Sequence, residues 1–531
     1  MTIAIDFGTS NTVVARWNGV SQEAEVLSLP GISQDLGNNL SLIPSLVYLE
    51  NAAQAQVIVG KQVRDRGLDL TTDSRFFRGF KRGIGTNIQG FLPELDGEKV
   101  TFEKIGNLFL TQLITTLQKE DKTESLVLTV PVDSFEAYRH WLGEICQSLA
   151  VEKVQMLDEP TAAALGYGTI NESLLLVIDF GGGTVDLSLV QLDLKPGQRA
   201  GSRGFILKWG ENFFGESSGQ KPKTARVLAK AGQNLGGSDL DNWLVDYFVK
   251  EQGLTKSPLI TRLAERLKIQ LSSQTEGSEV YFNDETLESY ELALSRHSFE
   301  TILKERGFFQ QLDELITQVL QQGKREGITT GDIEAVLLVG GTTQIPAIQT
   351  WIQKYFKPEK IKCDRPFTAI AAGALQVFGG VEIKDFLYHS YGIRYWNRKE
   401  NRHSWHTLVQ SGQPYPMNKP IELVLSASVP NQPSIELIIG ELGTDTGGTE
   451  VYFDGDRLVT RSIGRGEIAV QPLNDQEGAR TVAKLKPLGN PGSDRIKLQF
   501  YVDKERFLRL TVEDLLTNET LLKEQAVVQL S

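Results

Sequence analysis

LLLVIDFGGGTVDLSLV, residues 174–190, is the stretch on which the reading of this chain turns. An apolar run at residues 174–178 leads into three consecutive glycines, and beyond them Val185, Leu187 and Leu189 alternate with Asp186 and Ser188. Alternation with a period of two marks a strand rather than a helix. Gly181, Gly182 and Gly183 are therefore expected to form a tight turn between two strands, reaching backbone conformations that a side chain would forbid. Successive bare N–H groups in such a turn can hold an anion. Asp179 and Asp186 flank it, which suits a divalent cation seated between carboxylate and phosphate. The plainer alternative is an ordinary glycine-rich hairpin with two solvated aspartates.

The same signature opens the chain. IDFGT at residues 5–9 echoes IDFGGGT at residues 178–184, and TVVA follows at residues 12–15. Two strand–turn–strand units so far apart imply a duplicated α/β domain, each half offering one hairpin to a shared cleft. A third glycine turn, Gly340 and Gly341, follows the apolar run at residues 335–339 and precedes a helix opening at Pro346. Strand, glycine turn and helix N-terminus together suit a nucleotide-like ligand.

Between these landmarks, residues 126–130 read as a buried strand ending at Pro131, followed by helical spacing of Phe135, Tyr138, Leu142 and Ile145. Pro160 fits the first position of a helix, which puts Glu159 at the helix start. That carboxylate either complements the helix dipole or is held at a cleft by the strand-to-helix junction. Gly236 and Gly237 turn into a helix bearing Trp243, Val245 and Phe248. Helical spacing puts Glu265, Lys268 and Ser272 on one face, a solvated stripe or the polar wall of a site. Residues 64–85 are basic, with Arg75, Arg78, Lys81 and Arg82; most such charge is expected on a solvated face, leaving room for one residue to serve an anion. Residues 195–225 form a Gly-, Lys- and Ser-rich excursion.

An alanine-rich helix at residues 369–377 ends at Gly379 and Gly380, and the character then changes. Short alternating runs at residues 421–425, 434–439, 496–500 and 507–512, separated by Gly, Pro, Asn and Asp, predict an antiparallel β-sandwich. The expected organisation is an α/β domain at residues 1–380, a linker at 381–388 and a β domain at 389–531.

Composition bounds the function. A length of 531 residues allows roughly three domains of ~150 residues. A formal net charge of −12 and a pI near 5.2 give no bulk attraction to nucleic acid or anionic membrane. Two cysteines, Cys146 and Cys363, cannot build a disulfide framework and are expected to be buried small residues in a reducing compartment. The N-terminus lacks the basic start and apolar run of a secretory signal, and no apolar run approaches the ~18 residues of a membrane helix. A cytoplasmic monomer is expected. His403 and His406 lack further ligands nearby and read as a surface cluster.

The chemistry narrows by spacing. No GxxxxGK[ST] loop occurs, and Gly181–Gly183 does not complete GxGxxG, because position 186 is Asp and a strand follows. Phosphoryl transfer needs neutralised phosphates, a positioned nucleophile and little covalent chemistry. Aspartates holding hydrated magnesium, backbone amides on phosphates, a lysine and a water-ordering carboxylate would meet that need.

With these residues assembled, the chain resembles the Hsp70 chaperone family. The matching motifs run in order from IDFGTSN at Ile5 through VPV with Arg139 eight residues after Pro131, DEPTAAALGYG at Asp158, VIDFGGGTVDLS at Val177, LGGSDLDN at Leu235 and AERLKIQLSS at Ala264 to LLVGGTTQIP at Leu337. The resemblance implies a duplicated, actin-like (ribonuclease H-like) two-lobed ATPase domain followed by a peptide-binding β-sandwich. It implies that ATP or ADP is held with Mg2+, with K+ as an optional second ion. Gly8, Thr9, Ser10, Asn11, Gly181, Gly182 and Gly183 would contact phosphates, and Asp6 and Asp179 would hold magnesium through water. Lys81, in FKRGIG, would be catalytic, with Glu159, Asp186 and Thr184 beside it. Gly236, Gly237, Glu265, Lys268, Ser272, Gly340, Gly341 and Thr342 would border the nucleotide. Pro131 and Arg139 would relay nucleotide state between domains. Unfolded or extended polypeptide, a J-domain co-chaperone and a nucleotide exchange factor are the implied partners.

The sequence also departs from that family. Ile269 and Gln344 stand where two arginines usually sandwich the adenine ring. The linker is less leucine-rich, and YWNRKENRHSWH at residues 395–406 is polar and aromatic where the family has apolar loops. The chain stops at Ser531, directly after the last strand, so the helical lid and acidic terminal motif are expected to be absent. Two other functions use the same cleft: an actin-like small-molecule kinase and a nucleotide-binding scaffold with little ATPase activity.

Overall fold

Residues 174–180 are apolar at nearly every position because both faces of that strand are buried. Leu174, Leu176, Ile178 and Phe180 enter one core together with Val185, Leu187 and Leu189, while Leu175 and Val177 enter another. A strand covered on both sides reads as a continuous hydrophobic run. The computed structural model describes residues 2–21, 23–36, 40–85, 93–120, 123, 125–131, 138, 141–142, 145, 153–168, 173–192, 225–283, 286–376, 387, 390–397, 402–410, 413, 415–417, 419–442, 449–454, 457–462, 470–475, 481–504 and 506–530. These form two compact units, Met1–Ile383 with Glu450–Arg461, and Lys384–Thr449 with Ser462–Ser531.

The first unit is built on two sheets of the same topology. In one, Glu23–Val26 pairs with Asn11–Asn18, which pairs antiparallel with Thr2–Asp6; Ser125–Val130 and then Lys153–Asp158 extend that strand's other side in parallel. In the other, Ala225–Gln233, Val185–Leu192 and Leu174–Phe180 are antiparallel, and Ala335–Val339 and Ile361–Lys362 follow in parallel. The repeat expected from IDFGT and IDFGGGT is thus a repeat of whole sheets. Leu174–Phe180 and Val185–Leu192 form the expected hairpin, with Asp179 opposite Asp186.

Two short helices, Glu159–Gly166 and Ala369–Gln376, share a core with residues of both sheets, including Ala4 and Val127 of one and Val177 and Leu337 of the other. They cross at backbone contact. A methyl group on Gly166 would lie 1.7 Å from the Ala369 carbonyl oxygen, and one on Gly373 would lie 1.8 Å from that of Ala162. Only glycine permits this approach.

The second unit is all-β. Arg402–Val409, Ser390–Asn397, Ile439–Leu442 and Val470–Pro472 make one antiparallel sheet; Ile421–Ser426, Asp494–Val502, Phe507–Asp514 and Glu519–Gln529 make another. Along Phe507–Asp514 every second residue is buried, so Leu508, Leu510 and Val512 face the core. This is the predicted sandwich.

Four expectations need correction or limits. The apolar run at 434–439 is split: Gln432–Leu437 pairs with Thr481–Gly489, and Ile439–Leu442 joins a different sheet. The basic stretch is a solvated face only in part: Arg66 and Arg78 are exposed and Arg75 meets Asp96 near the surface, whereas Lys81 and Arg82 are largely buried on acidic partners. Cys363 is half-buried rather than buried, while Cys146 lies outside the described residues. The excursion is outside them from 195 to 224, and of the expected linker only Leu387 is described, buried with its N–H donated to the Gln413 carbonyl at 2.9 Å. Among the described residues no helix is long and apolar enough to cross a membrane.

Candidate functional site

The carboxyl ends of the central strands turn toward one cleft, where α/β sheets hold their ligands. Asp6 ends the first strand, and its Oδ1 accepts a hydrogen bond from Thr129 Oγ1 at 2.9 Å. Glu159 begins its helix because Asp158 caps it, accepting the Thr161 N–H at 2.9 Å, and because Pro160 needs no N–H partner there. Lys81 sits on the short turn Phe80–Gly83 and donates through Nζ to Glu159 Oε1 at 2.8 Å. Both side chains are only 11% exposed.

An aromatic bed fixes this lysine. Its Nζ lies 5.7 Å from the Phe7 ring centroid, and Phe7 packs on Phe80, Phe109 and Trp141 with centroids 5.8–6.0 Å apart. Tyr138, fully buried against Trp141, donates its hydroxyl to the Lys81 carbonyl at 2.9 Å. Tyr138→Phe is expected to destabilise the first unit by about 0.5–1.5 kcal/mol, read from its thermal midpoint, because that carbonyl loses its donor inside the fold.

The acidic residues are held together at electrostatic cost. Burial first, then the Glu159 carboxylate, raises Asp6 to about 6, against the opposing pull of Lys81 and the Thr129 hydrogen bond. Burial, Glu159, Asp186 and Asp6, in that order, push Asp179 well above the ordinary carboxylate range. Burial pulls Lys81 down, but Glu159, Tyr138 and Asp6 more than offset it, so its ammonium is stabilised. One lysine among four carboxylates leaves an excess of negative charge that a divalent cation would relieve. Among the described residues no three metal-ligating side chains converge as direct ligands. The acidic excess itself suits a hydrated divalent cation such as Mg2+, which keeps much of its own water shell. Beside it, a cavity of about 20 Å³ is lined by Pro131, Glu159, Asp179, Asp186, Ser188 and Lys230, enough for one water, which needs about 10–15 Å³.

Three glycine turns stack over this cluster. The Gly237 and Ser238 N–H groups donate to the carbonyls of Gly181 and Gly182 at 3.1 and 2.9 Å, and Thr342 Oγ1 donates to the Gly181 carbonyl at 2.8 Å. A methyl group on Gly182 would lie 1.9 Å from Ser10 Oγ, and one on Gly236 would lie 2.5 Å from the Gly182 carbonyl. Gly8 is held by Ser45, whose Oγ donates to its carbonyl at 2.7 Å.

The helix Pro258–Ser273 supplies a polar wall. Lys268 Nζ lies 2.7 Å from Asp241 Oδ1 and donates to the Gly237 carbonyl at 2.9 Å, while Ser272 donates to the Lys268 carbonyl at 3.1 Å. The remaining wall residue, Glu265, takes both oxygens to Arg64 NH2, at 3.0 and 2.9 Å, and Arg262 meets Asp69 at 3.3 Å. These two pairs tie elements inserted in the first half to a helix of the second. Arg64→Ala is expected to speed nucleotide release about fivefold, the equivalent of about 1 kcal/mol for a partly exposed pair, in a stopped-flow displacement experiment. Ile269 on the same helix is 58% exposed, and the buried Gln344 Nε2 has no hydrogen-bond partner among the described residues.

The structure therefore brings Asp6, Lys81, Glu159, Asp179 and Asp186 into one cluster, and Gly181–Gly183, Gly236, Gly237 and Thr342 into one cradle. Thr184 closes the first turn, its carbonyl accepting the Gly181 N–H at 3.0 Å, and Gly340 packs against the Phe180 carbonyl. Arg139 lies outside the described residues. Local spacing missed Arg64, Tyr138 and Thr129, whose partners lie 57 to 201 positions away. In the basic cluster at 75–82, where one residue is expected to serve an anion, Lys81 and Arg82 are the residues drawn into the site.

Two sheets of one topology, their strand ends gathered under shared glycine turns, define an actin-like ATPase domain, and the antiparallel sandwich follows it in the chain. A family model described as Hsp70 protein matches residues 2–198 and 224–399. The chain belongs to the Hsp70 family, whose members are ATPases of the chaperone type that bind ATP or ADP with Mg2+, unfolded polypeptides and co-chaperones. The gap in the match falls inside the glycine-rich excursion, and the match ends nine residues after the first strand of the sandwich begins.

Proposed function

We propose that the first unit hydrolyses ATP and that the β-sandwich holds extended or unfolded polypeptide, with the nucleotide state of one setting the grip of the other. The Lys81–Glu159 ion pair, set beside Asp6 and Asp179 beneath the glycine turns, carries this reading. A buried ammonium held on a carboxylate is a preorganised charge for a phosphoryl group, and it needs no reorganisation when negative charge develops. Glu159 keeps Lys81 in place; with Asp186 it also accepts hydrogen bonds from a water and turns that water toward phosphorus. Backbone N–H groups of Gly182, Gly183 and Gly341, with Thr9, Ser10, Asn11 and Thr184, take the phosphate oxygens, while the Gly181 and Gly340 N–H groups hold their turns on the Thr184 and Pro366 carbonyls. Asp6 and Asp179 would hold Mg2+, which would supply charge neutralisation to the phosphates. Lys268, Ser272, Glu265 and Gly237 border the nucleoside.

Pro131 lines the small cavity behind Glu159 and Asp179, which supports a part for it, with Arg139, in passing nucleotide state onward. ATP turnover with and without a J-domain protein and an unfolded peptide tests the proposal. Stimulation by both is the expected result. Turnover only with a small acceptor would replace it by a kinase, and nucleotide binding without turnover would replace it by a scaffold.

A further inference from the structure

We propose that Arg82 is a further phosphate ligand of this cleft, one that separates a nucleoside triphosphate from a diphosphate. The inference rests on the nucleotide reading above and extends it to a residue of the basic stretch that the catalytic assignment leaves unused. Arg82 follows Lys81 on the turn Phe80–Gly83, and its side chain is only 4% exposed. Its NH2 donates to the Gly183 carbonyl and, at 2.6 Å, to Asp239 Oδ2, which in turn accepts the Gly236 N–H at 2.8 Å. Its Nε is buried and has no hydrogen-bond partner among the described residues.

A buried guanidinium N–H without an acceptor is costly, and it calls for one. The geometry says which. The point where a Cβ on Gly183 would stand is 2.8 Å from Arg82 Nε and 2.6 Å from Thr9 Oγ1. Two donors from the first half of the unit thus converge beside the third glycine of the turn, whose bare amides suit an anion. A planar, permanently charged fork matches phosphate geometry better than a lysine does. The neighbouring Lys81–Glu159 pair marks this end of the cleft as that of the phosphoryl group under attack, so a terminal phosphate meets Arg82 and a diphosphate does not reach it. Without nucleotide, the same guanidinium bridges the halves through Gly183 and Asp239.

The test is equilibrium binding to the full chain of ADP and of a non-hydrolysable ATP analogue, both with Mg2+. Arg82→Gln is expected to weaken the triphosphate about tenfold, as for loss of one charge-assisted contact, and to change the ADP Kd less than about twofold. Arg82→Lys, which keeps the charge without the Nε donor, is expected to fall between. Asp239→Asn breaks the same bridge and is expected to leave the ratio of the two affinities unchanged. Equal weakening of both nucleotides by Arg82→Gln and Arg82→Lys would overturn the assignment and leave Arg82 a bridge alone. No change in either affinity would also overturn it. Wild-type protein that bound neither nucleotide would overturn the nucleotide reading itself.

Discussion

Lys81→Ala is expected to slow ATP turnover at saturating nucleotide by about 10²–10³-fold, the usual cost of deleting one preorganised charge at a reacting centre. The size follows from where the ammonium sits. At 11% exposure and 2.8 Å from Glu159, its field is little screened by water, and the stabilised charge persists across the pH range of any assay. The substitution also leaves Glu159 without its cation, facing Asp6 and Asp179, whose protonation it already favours. Lys81→Ala combined with Glu159→Gln should therefore fold better than Lys81→Ala alone, yet turn over no faster. Nucleotide affinity should change far less than kcat, since glycine amides make most of the cradle. Normal kcat in Lys81→Ala would remove the lysine from the mechanism.

Asp179→Asn should have opposite effects on binding and on folding. Binding of nucleotide with Mg2+ is expected to weaken about 10–100-fold, as when a group supporting a metal's ligand shell is lost. The nucleotide-free protein, by contrast, should unfold at a higher temperature, because one of several mutually repelling, desolvated carboxylates is gone. The pH dependence has a definite sign. Asp6 and Asp179 are raised in the fold, so each contributes stability that is fully present below the unfolded carboxylate value near ~4 and is lost as pH rises through the folded value. For Asp6 that window closes at about 6. This cluster should thus lower the thermal midpoint of the nucleotide-free protein between pH 4 and pH 6, and Asp179→Asn should flatten that decline. Midpoints at pH 5 and 7.5, with and without Mg2+ and ATP, decide the matter. A decline of the same depth in both proteins would show that the carboxylates are not coupled as described.

Much of the architecture could be read directly from residues. The alternation of Val185, Leu187 and Leu189 and the echo of IDFGT in IDFGGGT carried the hairpin and the doubled sheet, because both are local patterns. Pro160 after Asp158 and Glu159 likewise announced a helix start. The site was less legible where it depends on partners far along the chain. Arg64 gives no hint of Glu265, nor Tyr138 of the Lys81 carbonyl. Charge density at residues 75–82 sorts only in the fold: Arg78 is exposed and Arg75 meets Asp96 near the surface, while Glu159 and Asp239 come from far along the chain to bury Lys81 and Arg82. The hairpin of Glu276–Asn283 with Glu288–Ser295 was also missed, since Val280 and Phe282 on its exposed face blur the alternation. At residues 434–439 the apolar run was read as one strand, and only tertiary pairing shows that the chain changes sheets within it.

The crossing at Gly166 and Gly373 limits how the two halves can move. With carbonyls against α-carbons and no side chains between, the two helices have no play: neither can slide or twist without atoms overlapping. Displacement there is confined to a tilt about the point of contact, as in a pair of covers bound at one spine. Elements inserted outside the sheets meet instead through side chains, Arg64 with Glu265 and Arg262 with Asp69, whereas Glu159 stands at the head of one of the two tightly crossed helices, where relative displacement costs most.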